Sequence, residues 1–329
     1  MNAPLLSLAL AISLTAGGPA PSLSASPNGS TGSGIELVPT VPIVPVVPLQ
    51  EGCAADPHAC GFPDATHTGV PAGTTLKKVP GQISSGPGWY YDPRGWVEVD
   101  GNGAVLTDLF IPCNLDISAS HVTVRDVEVE ASGQSSFGIS LRHTSDVTIE
   151  DSTIEGDNTG NGRLMVGIKD IFGDATRTSV LDNNIMRAAT GVQIYQGLIQ
   201  GNFIHDMGYI DGDHINGVTV SGGITPLTIQ DNTIFVDNGQ TDAISLFQDT
   251  QVEASKVIKD NLLAGGGYAI YGGEGAQPAS NIVIADNRIS SIFFPNGGLW
   301  GPVAYFSTGH GNVWTGNVWD STGIAIPAP

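Results

Sequence analysis

Apolar residues flank a short polar corner again and again along this chain. Leu227-Thr228-Ile229-Gln230-Asp231-Asn232-Thr233-Ile234 is the plainest copy, and it reads apolar-x-(Asp/Gly)-Asn-x-apolar. The pattern recurs at Val180–Ile185, Ile199–Ile204, Ile258–Leu263, Ile284–Ile289 and Trp314–Trp319, with weaker copies at Val124–Val129 and Ile149–Ile154. The corner column is therefore Val127, Ser152, Asn183, Asn202, Asn232, Asn261, Asn287 and Asn317, with steps of 19 to 31 residues. Imperfect periods in this range mark a solenoid. A second column runs in the same phase: Gly138-Ile139-Ser140-Leu141, Gly167-Ile168-Lys169, Gly191-Val192-Gln193-Ile194, Gly217-Val218-Thr219-Val220, Ala243-Ile244-Ser245-Leu246, Ala269-Ile270-Tyr271 and Ala304-Tyr305-Phe306. Most copies alternate apolar and polar residues, as strands do. The two columns predict two short strands per turn of about 27 residues, one coil of a parallel β-helix. No long stripe of 3.6-residue period appears, so a helical solenoid is excluded. The asparagines read as a structural stack, with side-chain amides bonding along the axis to corner backbone.

The rest of the chain is organised around these repeats. Leu5–Ala16 is an apolar run too short to span a bilayer, followed by small residues, so 1–25 reads as a signal peptide and the protein as secreted. Residues 26–51 are rich in Pro, Val, Gly and Ser and read as an extended linker. Residues 52–112 read as an N-terminal cap and first coil, with the aromatics Trp89, Tyr90, Tyr91 and Trp96 either covering the open end of the core or forming a sugar-stacking platform. The β-helix then spans 113–321, and 322–329 form a C-terminal tail. The whole is all-β, with about eight or nine coils.

Charge narrows the partners. With 12 basic against 32 acidic residues the formal charge is −20, which excludes nucleic acid and, once the signal is cleaved, anionic membrane as partners. Three cysteines allow a Cys53–Cys60 or a Cys60–Cys113 disulfide.

The spacing between columns points to one working face. The gap from corner to Gly/Ala strand is 8 residues at Asn183–Gly191, but 15 at Asn202–Gly217 and 17 at Asn287–Ala304. Loops lengthened on one face are where solenoids bind. With Ile139, Val192, Val218, Ile244 and Ile270 inward, the outward stripe is Ser140, Lys169, Gln193, Thr219, Ser245 and Tyr271, continued by Arg142, Tyr195 and Phe247. Such a stripe suits an extended polysaccharide. Gln193, Tyr195, Asn216, Ser245, Gln248, Tyr271 and Arg142 are its candidate sugar contacts. The densest chemistry is the loop Tyr209-Ile210-Asp211-Gly212-Asp213-His214-Ile215-Asn216. Stacking puts Asp242 beside Asn216, in reach of Asp213 and His214. Carboxylates, an imidazole, a phenol and Lys169 on one face are what acid–base work on a glycan needs. Two mechanisms compete. In β-elimination or C5 epimerisation of a uronate, His214 and Tyr209 serve as base and acid, and Lys169, Arg142 or calcium at Asp211 and Asp213 neutralises the carboxylate. In inverting hydrolysis, Asp213 and Asp242 form the carboxylate pair. A non-catalytic glycan-binding or cell-surface module is the rival from another class.

The opening Phe62-Pro63-Asp64-Ala65-Thr66-His67-Thr68-Gly69-Val70-Pro71-Ala72-Gly73-Thr74, followed by Val122-Thr123-Val124-Arg125 and the coils, resembles secreted actinobacterial β-helix proteins of the pectate-lyase-like superfamily. The resemblance covers roughly residues 61–321 and implies a single-stranded right-handed parallel β-helix. That superfamily holds lyases, hydrolases, epimerases and non-catalytic surface proteins, so it implies no single reaction. Asp211-Gly212-Asp213-His214-Ile215 loosely resembles the Asp-Pro-His-Glu loop of the alginate epimerase and lyase branch, without its Pro and Glu. The Asn-Thr-Asp, Asp-Asp and Arg-Ile-Lys signatures of polygalacturonases are absent.

Overall fold

The residue ahead of each asparagine explains why the repeat demands Asp or Gly there. In the computed structural model, which describes residues 52–131, 136–157 and 162–329, that position has a left-handed backbone in every repeat. The φ values are 54° at Asp126, 46° at Asp151, 53° at Asp182, 54° at Asp231, 55° at Asp260 and 55° at Asp286, with Gly201 at 71° and Gly316 at 65°. Only Gly and, more weakly, Asn or Asp enter this region without large cost. Asp108 (φ 56°) shares it, and Leu109 pairs with Val127. The corner column thus begins one repeat earlier than the asparagines suggest, because Leu109 stands where Asn would. The expected signal peptide (1–25) and linker (26–51) lie outside the described residues.

The repeats from Thr148 to Ala304 carry three strands where two were expected, whereas Val105–Ile111 and Thr123–Ala131 run unbroken through the corner, where Leu109 and Val127 stand. Thr178–Leu181, Asn184–Met186 and Ala188–Gln193 form one set, and Leu227–Gln230, Thr233–Val236 and Asp242–Leu246 another. The corner causes the split. The Asn183 backbone N–H goes to the Asn202 side-chain Oδ1 (3.0 Å) rather than to a strand carbonyl, which interrupts the main-chain ladder. The strands before and after the corner belong to a 17-stranded sheet, and the Gly/Ala strands to an 11-stranded one. Pairing is parallel from repeat to repeat, apart from an antiparallel start in which Trp89–Asp92 lies between Ser85–Gly86 and Trp96–Val99. An all-β chain with two large parallel sheets is compatible with a parallel β-helix.

Register stacks like on like. Val180, Ile199, Ile229, Ile258 and Ile284 are successive partners, and all are fully buried. Fully burying such a side chain contributes roughly 1.5–3 kcal/mol. On the other sheet Ile139, Ile168, Val192, Val218, Ile244 and Ile270 form a second buried file. Gly191 is small because a Cβ there would come within 2.6 Å of the Gly217 carbonyl oxygen and 2.7 Å of Ile204.

Asparagine side chains bind this stack from inside. Asn232 Oδ1 accepts from the backbone N–H (3.0 Å) and Nδ2 (2.9 Å) of Asn202. Its own Nδ2 donates to the Ile199 and Gln230 carbonyls and to Asn261 Oδ1, at 3.0, 2.8 and 2.9 Å. The same bonds continue through Asn261 and Asn287 to Asn317, and Ser152 enters the file by donating its N–H to Asn183 Oδ1 at 3.1 Å.

Residues 52–78 run from the last repeat back to the first. The Cys53 and Ala54 N–H groups donate to the Asp320 carboxylate at 3.0 and 2.9 Å. Phe62 packs near Phe235 and Leu262, Gly69 N–H reaches the Asp182 carbonyl (2.9 Å), and Val70 N–H reaches Thr153 Oγ1 (3.2 Å). Lys77–Lys78 then pairs with Leu109–Phe110. Cys53 and Cys60 are joined as a disulfide. Cys113 is a free thiol, so the Cys60–Cys113 alternative is not formed. Burial raises the Cys113 pKa to about 11, against a weaker bond from the Val97 backbone.

Replacing Asn232 with Ala strips five hydrogen bonds from a buried file, whereas Asn317→Ala at its end strips three. At about 1–3 kcal/mol for each group left unsatisfied, Asn232→Ala should lower unfolding stability by roughly 3–5 kcal/mol and Asn317→Ala by clearly less. Denaturant unfolding of both variants checks this, and equal losses would remove the ladder from its central place.

Candidate functional site

The outward side of the Gly/Ala strands carries the polar stripe in the expected register. Ser140, Lys169 and Gln193 are successive partners, as are Thr219, Ser245 and Tyr271. Over the middle of this stripe lies a cleft of about 570 Å³. Thr190, Gln193, Asn216 and Thr219 line its floor. His214, Thr241 and Trp300 line one wall, from loops ahead of the strands; Phe247 and Asp249, from a loop behind them, line the other. The two lengthened loops noted in the sequence thus supply His214 and Trp300. Trp300 is 69% exposed.

Tyr271 anchors an aromatic group at the cleft. Its ring lies nearly parallel to Tyr305 (5.6 Å, 18°), edge-on to Tyr268 (5.4 Å, 83°) and 5.2 Å from Phe247. Burial raises the Tyr271 phenol pKa, and Asp242 adds to the effect whenever it is ionised.

Of the expected catalytic groups, His214 alone lines this cleft. Its Nδ1 lies 3.3 Å from Thr241 Oγ1. Asp213 is committed elsewhere: Arg163 Nε and Nη2 donate to its two oxygens at 2.6 Å each, and the Ile210 N–H adds a third bond at 2.8 Å. Asp242 is the register partner of Asn216, as the repeat implied, but it is wholly buried. Burial raises its pKa well above the carboxylate range, with the Ser245 hydroxyl acting against it. The Tyr209 hydroxyl donates to Asp211 Oδ1 at 3.2 Å on the exposed loop. Lys169 donates to Gln193 Oε1; burial lowers its pKa and Asp170 opposes this.

The expected sugar contacts divide in the same way. Gln193, Asn216 and Tyr271 line the cleft. Ser245 is buried under it and bonds Thr219 Oγ1 at 2.8 Å. Tyr195 belongs to a separate hollow of about 250 Å³ with Phe172 and Ile224. Gln248 Nε2 is bound to the Gly273 and Gln277 carbonyls, at 2.8 Å each, and Arg142 Nε to both Asp116 oxygens at 2.7 and 2.8 Å.

The expected calcium ligands Asp211 and Asp213 do not fit the ion. Calcium takes six to eight oxygens, and here both Asp213 oxygens are already neutralised by a guanidinium. Among the described residues no three His, Cys, Asp or Glu side chains gather as a metal site.

Two pairs escaped the sequence reading. Arg163 carries no periodic signal, and its partner lies 50 residues away. Lys256 occupies a core position between Leu227 and Ile282, fully buried, with Nζ donating to the Gly223, Thr225 and Ala254 carbonyls at 2.8–2.9 Å. Glu253 lies 3.3 Å from it and accepts the Gly222 N–H at 2.7 Å. Burial raises Glu253 to about 7, outweighing Lys256. The pair pins the turn that follows Ser221, a residue of the cleft. The alternation of Ala254-Ser255-Lys256-Val257-Ile258 could have flagged Lys256 as inward.

The chain matches no known family model, and no curated protein is similar to it in sequence.

Because Asp213 and Arg163 form a nearly buried pair, each Ala variant should cost about 3 kcal/mol of stability, and the double variant far less than the sum. Urea unfolding of the three variants measures this coupling; additive losses would show that the pair does not hold the loop.

Proposed function

We propose that this chain is a secreted, carbohydrate-active protein that takes an extended polysaccharide into the His214–Tyr271 cleft. In this reading it is a right-handed parallel β-helix of about eight or nine coils with an N-terminal cap, akin to the actinobacterial members of the pectate-lyase-like superfamily. The observation that carries the reading is one cleft lined by an accessible imidazole, a phenol and Gln193, with the Lys169 ammonium bonded to Gln193.

That set suits a polysaccharide lyase or uronate epimerase better than a hydrolase. For β-elimination His214 takes the C5 proton and its electron pair forms the C4–C5 double bond. The C4–O bond breaks, and the Tyr271 hydroxyl protonates the departing oxygen. Burial keeps that phenol protonated until it is needed. Lys169, at the Gln193 end, meets the uronate carboxylate and makes the C5 proton more acidic. Epimerisation uses the same abstraction, with reprotonation from the opposite face. Paired-carboxylate hydrolysis has less support, because Asp213 is held by Arg163 and Asp242 is covered. Glycan binding without catalysis is the second reading, and the exposed Trp300 favours it, since an indole face stacks well on sugar rings.

Incubation with a panel of pectic, alginate and neutral polysaccharides separates these readings. Lyase action produces unsaturated uronate absorbance, is unaffected by EDTA, and falls about 10²–10⁴-fold in His214→Ala and Tyr271→Phe. New reducing ends without that absorbance would replace elimination by hydrolysis. Binding that Trp300→Ala weakens, without any product, would leave a binding module. No binding to any member of the panel sinks the proposal.

A further inference from the structure

The floor of the cleft contains acceptors that nothing donates to. Asn216 and Asp242 are register partners on adjacent strands, both buried. Asn216 directs its amide hydrogens to Thr190 Oγ1 (3.1 Å) in the preceding repeat and to the His214 carbonyl (3.5 Å). Its Oδ1 has no hydrogen-bond partner, and neither oxygen of Asp242 has one: the Ser245 hydroxyl, near enough to oppose the rise of the Asp242 pKa, gives its hydrogen to Thr219 Oγ1. Seven buried side-chain atoms are without a hydrogen-bond partner among the described residues; Glu253 Oε2 has the Lys256 ammonium beside it, and three of the others sit on this one pair. Native interiors do not normally leave such atoms unsatisfied.

The surroundings supply no cation to hold an ionised carboxylate there. Asp242 is flanked by Asn216 on one side and Tyr268 on the other. Tyr271, close enough to feel its charge, is a neutral phenol. The Ser245 hydroxyl is bonded to Thr219. His214 lies at the wall, with Nδ1 at Thr241, and Asp249, also on the cleft, is of the same sign as an ionised Asp242. The cations of this face, Arg163 and Lys169, bond Asp213 and Gln193. A proton is the smallest addition that resolves the conflict. Placed on one Asp242 oxygen, it turns that oxygen into a donor on the residue paired in register with the orphaned acceptor.

We propose that Asp242 is carried as a neutral carboxylic acid donating to Asn216 Oδ1, closing a file Asp242–Asn216–Thr190 that positions the Asn216 amide in the floor of the cleft. Asp242 is then a positioning residue, acting on any ligand through Asn216 rather than by touching it. The direction in which burial moves its pKa agrees with this. The protonation state stands on the cleft's own geometry; only its effect on a bound sugar rests on the glycan reading.

The linkage sign follows. A carboxyl group whose folded pKa lies above its unfolded value (about 3.9) contributes stability that is complete below the unfolded pKa and is lost as pH rises through the folded one. Infrared spectra at pH 7, with and without ¹³C-aspartate, should show a protonated aspartate carbonyl band that is missing in Asp242→Asn. Absence of that band from the wild-type protein overturns the proposal, whether or not the variant folds. Asp242→Asn keeps a donor toward Asn216, so its melting midpoint at pH 7 should match the wild type within a few degrees, while Asp242→Ala melts lower. An Asn variant as unstable as the Ala variant overturns the bond to Asn216. From pH 7 upward the wild-type midpoint should fall relative to that of Asp242→Asn, by on the order of 3 °C per pH unit up to the folded pKa, and run parallel to it above that pKa. Glu253, present in both proteins, cancels from this difference. A wild-type midpoint that rises relative to the variant overturns the proposal. On the pectic and alginate probes, Asp242→Asn should bind within twofold of wild type and Asn216→Ala about tenfold more weakly. If neither probe binds while the infrared band is present, the glycan reading fails and the neutral acid stands.

Discussion

One hydrogen-bonded file of asparagine side chains sets the geometry on which the other elements depend. Each amide satisfies backbone groups that a buried corner would otherwise leave bare, and each passes a bond to the next repeat. The chain can turn there only because the preceding residue accepts a left-handed backbone, which is why Asp and Gly alternate at that position. Amide stack and left-handed corner together hold successive repeats in register although their lengths range from 19 to 31 residues. Length variation is then confined to loops. Those loops carry His214 and Trp300 to the cleft without disturbing the strands beneath.

The scarcity of positive charge makes each cation's position informative. Of the twelve basic residues in a chain of formal charge −20, two are buried where a loop needs fixing. Arg163 fixes the loop before Asn216 through Asp213, and Lys256, with Glu253, fixes the turn after Ser221. Buried pairs of this kind contribute little net stability beside an apolar replacement, but removing one partner leaves an uncompensated charge. Their value here is positional: they hold the two ends of the strand that forms the middle of the cleft floor.

Sequence reasoning reaches what repeats and misses what occurs once. The corner column, the inward file from Ile139 to Ile270, the outward stripe and the Asn216–Asp242 pairing all follow from period and alternation, and the strand register agrees with each. The third strand does not follow from the pattern because the apolar stretches on the two sides of the polar corner read as one strand, and it is the side-chain bond at the corner that divides their main-chain ladder. The first coil is legible within 52–112, but its corner is hidden because Leu109 replaces the polar residue there. The Asp213–Arg163 pair left no trace, since two residues 50 positions apart meet through loops of irregular length. Asp213, His214 and Asp242 are neighbours in the repeat, yet their side chains go to a guanidinium, a cleft and the interior. Register brings backbones together and leaves side-chain direction to local contacts.

The same contrast bears on where chemistry can reside. Along the asparagine file donors and acceptors are matched from Ser152 to Asn317, and such a file has nothing left to offer a ligand. At Asn216 and Asp242 the match fails by three atoms. A fold that satisfies its polar groups so regularly can carry this deficit only if something besides its heavy-atom partners fills it, and a proton on Asp242 fills most of it. Protonation leaves one carboxyl oxygen and no net charge, so the floor meets an arriving sugar with oriented dipoles rather than a repelling carboxylate. On the proposed glycan reading, a neutral Asp242 removes one repelling charge from beneath the cleft, where Asp249 already lines the wall.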